Sequence, residues 1–136
     1  MASTAESRAA FGAHGACEAV LSLLRNFMEE PSVVEVALGV IRKLATECPQ
    51  NQARFAKPKS SCASLVVQAM REHCDGEATL QEQACLAAEA LALNSEANAS
   101  QLAAVGIREM LVAAEEQITN ERNKTYPARA LTAIFP

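Results

Sequence analysis

The fold of this chain is decided by residues 80–92, which have the sequence LQEQACLAAEALA. Apolar residues recur there at the i, i+4, i+7, i+8 and i+11 positions of a helix, and further apolar residues widen this stripe around most of the helix. Such a helix is not stable alone, so we predict that it is packed between other helices, and its many alanines allow them to approach closely. The stripe consists of Leu80, Ala84, Ala87, Ala88 and Leu91, widened by Cys85, Leu86, Ala90 and Leu93.

The composition predicts an all-α protein with an aliphatic core. Half of the 136 residues are hydrophobic, with no Trp, one Tyr and four Phe. The formal net charge of −4 is spread along the chain, which argues against nucleic-acid binding, because phosphate backbones are bound by clustered positive charge. No stretch approaches the roughly 18 apolar residues of a membrane-spanning helix, and the N-terminus lacks the apolar segment of a signal peptide. We therefore expect neither nucleic acid nor membrane as a partner.

The cysteines indicate the compartment. The chain has five cysteines, an odd number, without regular close spacing and mostly within helical apolar patterns. This usage is typical of reduced thiols in an intracellular protein. We therefore expect a cytoplasmic, possibly nuclear, protein. The five are Cys17, Cys48, Cys62, Cys74 and Cys85.

The first part of the chain predicts one short and two longer helices. Residues 1–7 are predicted to form a flexible lead-in, whose end overlaps the start of the first helix. The short helix covers residues 5–13. It ends at Gly15, which suits a sharp reversal of the chain. An amphipathic helix follows from residue 16. The third helix is predicted to begin after Ser32 as its N-cap, with Glu35 completing a capping box.

The same pattern begins again at Asn51. Phe55 takes the place of Phe11, and Cys62 takes that of Cys17. Thr79 and Glu82 repeat the capping box of the first unit. In a third, partial copy Leu102 takes the Phe55 position and Gly106 the Gly15 position. A recurrence in the mid-forties with matching residue types predicts stacked repeats. We place the units at about residues 8–50, 51–97 and 98–136, within a single domain over residues 8–136.

The junctions between these units resemble those of the armadillo repeat, a unit of about 42 residues with one short and two long helices. The resemblance rests on Leu44-Ala45 followed by residues 51–55 (NQARF), and on Leu91-Ala92 followed by residues 98–107 (NASQLAAVGI). These are similar to the family's Leu-Ala…Asn-Arg-x-x-Ile-x-x-x-Gly-Ile junction. HEAT repeats are of similar length, but they lack the separate short helix ended by glycine. The resemblance implies an all-α, right-handed superhelix of two full repeats and a partial third, that is, an α-solenoid.

Two departures from the armadillo pattern bear on function. In the second copy residues 57–61 (KPKSS) replace the corner glycine with one residue more, and we expect a looser, basic corner there. Importin-type and catenin-type members carry an asparagine late in the third helix that binds the backbone of an extended peptide. Lys43, Ala90 and Ala133 occupy those positions here, and none of them has a neutral amide that both donates and accepts.

We interpret the chain as a non-catalytic scaffold that binds a partner protein or peptide. In stacked repeats of this kind the third helices line the concave face. Residues seven apart lie on one side of a helix, and this places the candidate positions on that face. Lys57 and Lys59 form a basic edge that suits an acidic partner. The candidate partner-binding residues are Val36, Gly39, Arg42, Lys43, Gln83, Leu86, Glu89 and Ala90.

Two other functions remain open from the sequence. The apolar, unfinished last helix over residues 130–135 predicts self-association through an exposed terminal repeat face, or a longer array of repeats. The alternative from another class is a cysteine-dependent enzyme or redox protein, since His14 is close to Cys17 and His73 adjoins Cys74. A zinc site of Cys62, His73 and Cys74 lacks the close paired spacing of structural zinc. We expect no catalytic residue, no metal and no cofactor.

Overall fold

A computed structural model describes residues 4–136, and these residues form nine α-helices and one short 3-10 turn, with no strand. The predicted all-α fold is confirmed. The helices are α1 (Ala5–Ala13), α2 (Ala16–Asn26), α3 (Pro31–Ala45), α4 (Pro49–Ala56), α5 (Cys62–Glu72), α6 (Ala78–Ala92), α7 (Glu96–Ala104), α8 (Ile107–Gln117) and α9 (Tyr126–Ile134), and the 3-10 turn is Pro58–Ser60.

The helices form three successive units, each with a short, a middle and a third helix. The units are α1–α3, α4–α6 and α7–α9. The third helices pack side by side, because α6 makes its most extensive contacts with α3 and with α9. Ten of the fifteen residues of α6 are buried, as its apolar stripe predicts. The third unit is shorter, since α9 has nine residues where α3 and α6 have fifteen.

The chain follows the same backbone path at both junctions between units. Thr46 and Leu93, which end α3 and α6, are both extended, with ψ of 119° and 116°. The next residues, Glu47 and Asn94, both lie in the left-handed region, with φ of 51° and 60°. Since few side chains other than Asn adopt this region readily, its use at two equivalent positions indicates a repeated turn.

The corner between the short and the middle helix also repeats. Gly15 and Gly106 precede α2 and α8 with φ of 93° and 84°. In the second unit Ser61 takes the same role with φ of 57°. We expected this corner to be looser, but the hydroxyl of Ser60 donates to the Phe55 carbonyl at 2.5 Å and accepts from the Cys62 amide at 3.2 Å. The corner is therefore compact.

The predicted capping boxes are both wrong by two residues. Helix α3 begins at Pro31 with Glu30 as its N-cap, and α6 begins at Ala78 after Glu77. Proline suits the first helical position because its missing N–H would be unpaired there in any case. The hydroxyl of Thr79 instead donates to the Glu35 carboxylate at 3.3 Å, across the contact between α6 and α3.

Residues 1–3 of the predicted lead-in lie outside the described residues. Residues 5–7 form the first turn of α1, where the Thr4 hydroxyl accepts a hydrogen bond of 3.1 Å from the Ser7 amide. We keep the unit bounds of 8–50, 51–97 and 98–136, and the right-handed sense of the superhelix, as proposals.

Candidate functional site

Buried side-chain amides hold the units in register. The amide nitrogen of Asn51 donates to the carbonyls of Arg8 and Leu44, at 2.8 and 2.9 Å. The amide nitrogen of Asn98 donates to the carbonyl of Gln52 at 2.9 Å. Each asparagine therefore joins the short helix of its own unit to that of the unit before. These bonds hold the short helices α1, α4 and α7 against one another, and Asn51 also ties α4 to the end of α3.

A groove of about 480 Å³ lies where α3, α6 and α9 meet the two junctions between units. We call it the third-helix groove. It is lined by four of the eight residues predicted for partner binding, namely Arg42, Leu86, Glu89 and Ala90. The structure thus brings together predicted residues from two units.

The charged side chains of the third-helix groove differ in their pairing. Arg129 on α9 forms a bidentate ion pair with Glu89 on α6. Its Nη2 donates to Oε1 at 2.7 Å, and its Nε donates to Oε2 at 3.0 Å. Arg42 on α3 has no carboxylate partner within residues 4–136. Its Nε is buried and has no hydrogen-bond acceptor among the residues that the structure describes. The groove therefore contains one cation whose hydrogen-bonding capacity is unused.

The other four predicted residues lie on the same helices but not in the lining of the groove. Gly39 and Gln83 face each other, since a Cβ atom at Gly39 would lie 3.4 Å from Oε1 of Gln83. Val36 and Lys43 are exposed on α3. These four residues extend the face of α3 and α6 without forming the groove itself.

Sequence reasoning missed the groove residues outside α3 and α6. Gln52, on the short helix α4, donates from its side-chain amide to the carbonyls of Ala90 and Leu93 at 2.9 and 2.8 Å, and closes the end of α6 beside the groove. The matching positions of Glu47 and Asn94 could have been found from the repeat spacing. Nothing in the sequence pairs Arg129 with Glu89.

Three of the five cysteines lack the environment of a reactive thiol. Cys17, Cys62 and Cys85 are buried, and desolvation raises the pKa of Cys17 to about 11 and the pKa values of Cys62 and Cys85 to about 12. A thiol must lose its proton to act as a nucleophile. His73 is engaged through Nε2 with the Met28 carbonyl at 2.8 Å. Within residues 4–136 no group of three or more His, Cys, Asp or Glu side chains is placed to hold a metal ion.

Repeated three-helix units with matching junctions define an armadillo-type α-solenoid, a class that generally binds protein partners and is typically non-catalytic. The chain belongs to the LRRK2 ARM repeat family, whose sequence model matches residues 4–134. The armadillo resemblance is thereby confirmed. Neither the search of curated proteins nor that of solved structures gave a match. Across residues 4–136 every helix is too short or too polar to cross a bilayer.

Proposed function

We propose that this chain is a non-catalytic scaffold that binds a protein or peptide partner along the third-helix groove, the face predicted to be concave. The observation that carries the proposal is Arg42, a half-buried arginine that lines a groove formed by two units and has no carboxylate partner within residues 4–136. A partner group in the groove accepts hydrogen bonds from the terminal nitrogens of Arg42, which make none within the described residues.

The charges in the groove favour an acidic partner group at Arg42. Because Arg129 is already bound to Glu89, Arg42 is the groove arginine left to pair, and a carboxylate gives a stronger hydrogen bond to a guanidinium than a neutral carbonyl does. Exposed Val36 and Leu93 lie on the same helical layer and supply apolar contact area. The proposed partner segment therefore has one carboxylate flanked by apolar side chains.

This mode of binding differs from the asparagine ladder of importin-type and catenin-type members. Lys43, Ala90 and Ala133 stand where that ladder needs neutral amides. We propose that side-chain recognition at Arg42 replaces regular binding of the peptide backbone. We also propose a cytoplasmic or nuclear location, supported by five free cysteines.

A photo-crosslinking experiment tests the binding face. A photoreactive residue replaces Val36 on α3 in one variant and Ser64 on the exposed side of α5 in the other. We expect a partner to be captured from Val36 and not from Ser64.

The purified partner is then titrated with the wild type, with Arg42→Gln and with the matched control Arg71→Gln, which changes an exposed arginine on α5. We expect about tenfold weaker binding, or roughly 1.4 kcal/mol, for Arg42→Gln alone. Capture from Ser64 only, or equal affinities, contradicts the proposal.

A second candidate function, self-association by stacking of units, is favoured by the first unit. Val40 on α3 is 36% exposed, whereas Ala87 and Ala130, at the equivalent positions of α6 and α9, are fully buried. Phe11 on α1 is 50% exposed, whereas its equivalent Phe55 is fully buried. The difference arises because the helices of the later units pack on those of the unit before, α4 on α1, α6 on α3 and α9 on α6, whereas α1 and α3 have no earlier unit within the described residues. This apolar face fits a further armadillo-type unit.

Sedimentation velocity over a range of concentrations tests the stacking. We expect the wild type to associate and Val40→Lys to remain monomeric. The matched control is Val112→Lys, since Val112 is also exposed but lies on α8 of the third unit. A wild type that stays monomeric at every concentration, or equal effects of both substitutions, counts against stacking through the first unit.

A further inference from the structure

A second pocket lies between α2 of the first unit and the α4–α5 corner of the second, and it shares no lining residue with the third-helix groove. Its volume is about 270 Å³, and four cationic side chains line it. Among its lining residues Glu18 alone is acidic, which gives a formal charge of +3 in a chain whose net charge is −4. We call it the basic pocket. The cationic residues are Arg25, Arg54, Lys57 and Lys59.

The basic pocket is built by the packing of two units. Lys57 and Lys59 lie on the compact corner that replaces the glycine turn of the other units. Arg25 on α2 reaches this corner, since its Nη2 donates to the Ser60 carbonyl at 3.4 Å. Arg54 is oriented by its hydrogen bond of 2.7 Å to Oδ1 of Asn51. Side chains from α2, from α4 and from the corner therefore converge on one cavity.

None of the four cations forms an ion pair within the described part of the chain. The two ion pairs in residues 4–136 are Lys124 with Glu121 and Arg129 with Glu89, both outside the pocket. An isolated pair of surface lysines commonly lies on a solvated loop and binds no ligand. Here two arginines from different helices join the lysines, and charges of one sign that line a cleft focus its field. An anion bound in the cleft removes the mutual repulsion of the four cations.

We propose that the basic pocket binds the phosphate group of a phosphoserine or phosphothreonine side chain on a protein partner. Such a group carries a charge of about −1.5 to −2 at neutral pH, which matches the charge of the pocket better than a single carboxylate. Arginine presents a fork of donors to phosphate oxygens, and lysine adds a point charge. The cavity of about 270 Å³ has room for one such group.

The inference goes beyond the proposed scaffold function, because the basic pocket uses different residues and can bind whether or not the third-helix groove does. A loss of binding at Arg42 leaves the basic pocket intact, and a loss at Lys57 and Lys59 leaves the groove intact. Failure of one proposal is therefore distinguishable from failure of the other.

The test is a titration of the full chain, followed by amide chemical shifts, at about 100 mM salt to screen distant charges. The probes are inorganic phosphate, the capped tripeptide Ala-phosphoserine-Ala, its unphosphorylated form and soluble inositol trisphosphate. We expect saturable shifts around residues 57–62 with the phosphotripeptide and none with the unphosphorylated form. We also expect inositol trisphosphate, which represents a lipid headgroup, to bind no more tightly than the phosphotripeptide despite its greater charge, because the cavity takes only one phosphate group.

A double variant and a charge-matched control complete the test. Lys57→Ser with Lys59→Ser removes two charges from the pocket, and Arg122→Ser with Lys124→Ser removes two from an exposed loop. We expect about tenfold weaker phosphotripeptide binding for the first and roughly twofold or less for the second. Equal losses, no saturable shift in a folded wild type, or tighter binding of inositol trisphosphate would overturn the proposal. Circular dichroism verifies that both variants are folded.

Discussion

Asn98 donates a hydrogen bond of 2.9 Å from its side-chain amide to the backbone carbonyl of Gln52, which belongs to the preceding unit. Asn51 makes the equivalent bond of 2.8 Å to the carbonyl of Arg8. Both asparagines are buried, and buried polar groups are costly unless they are paired. The stacking of units therefore depends on these amides as well as on apolar packing.

Removal of the Asn98 amide is expected to destabilise the chain. Asn98→Ala leaves the Gln52 carbonyl without its side-chain partner in a buried position, which costs about 1–3 kcal/mol of unfolding free energy. Urea denaturation followed by circular dichroism measures this loss. The control Asn26→Ala, at an exposed position in the last turn of α2, should change the free energy of unfolding by about 0.5 kcal/mol or less. An equal effect of the two substitutions would show that the bond between units contributes nothing.

The same substitution at two helical glycines is expected to have opposite effects. A Cβ atom at Gly12 in α1 would collide with Oδ1 of Asn51 and lie 2.6 Å from Nη1 of Arg54, whereas one at Gly39 in α3 meets only Gln83 at 3.4 Å. Gly12→Ala should therefore cost about 1–3 kcal/mol through overpacking. Gly39→Ala should stabilise by up to ~1 kcal/mol, because alanine favours the helix. Melting curves of both variants show whether each substitution stabilises or destabilises the chain. A stabilised Gly12→Ala would exclude close packing of α1 on α4.

Glycine at the corner of the second unit is expected to stabilise the chain. Ser61 has φ of 57°, a conformation that costs a residue with a side chain about 1–2 kcal/mol. After the greater flexibility of glycine in the unfolded chain is subtracted, Ser61→Gly should gain about 0.5–1 kcal/mol. The control Ser64→Gly, inside α5, should lose about 0.5 kcal/mol, because glycine disfavours a helix. Urea unfolding measures the free energy of unfolding of both variants. A destabilised Ser61→Gly would be inconsistent with a left-handed conformation at this corner.

The buried thiols predict a loss of stability in alkaline solution. Burial, with a smaller contribution from Cys17, raises the pKa of Cys62 to about 12, whereas an unfolded thiol has a pKa near 8.5. Above that pH the unfolded chain loses the proton while the folded chain keeps it, so the free energy of unfolding falls as pH rises toward 12 and is unaffected below about pH 8. Between pH 8 and 10 the wild type should lose roughly 1–2 kcal/mol more than Cys62→Ala. The comparison uses the change in the free energy of unfolding between the two pH values, which a cavity in the variant does not alter. Parallel pH profiles of the two proteins would refute the raised pKa of Cys62.

Local chemistry was enough to predict most of the fold. The short helix over residues 5–13 was expected from sequence and is observed as Ala5–Ala13. The turns at Gly15 and Gly106 were also expected, because glycine tolerates a positive φ without steric cost. The stripe in α6 predicted a helix buried on most sides, since apolar periodicity reports burial directly.

The candidate site was predictable only in part. Arg42, Leu86, Glu89 and Ala90 were found because helical periodicity places them on one face of α3 or α6. The partner of Glu89 was not found, since Arg129 lies 40 residues away in sequence and meets it only when α9 packs on α6. The caps assigned to Ser32 and Thr79 were wrong, because a proline or a tertiary hydrogen bond took precedence over the local motif.

The sequence by itself determined that this chain is a stack of armadillo-type helical units, because the periods of its apolar residues and the positions of its turn residues are local properties. Only the tertiary structure decided which charges are paired and which remain free to bind. The unpaired guanidinium of Arg42 and the four cations of the basic pocket come from different helices. Their environment depends on how closely the units pack, and no local pattern encodes that distance.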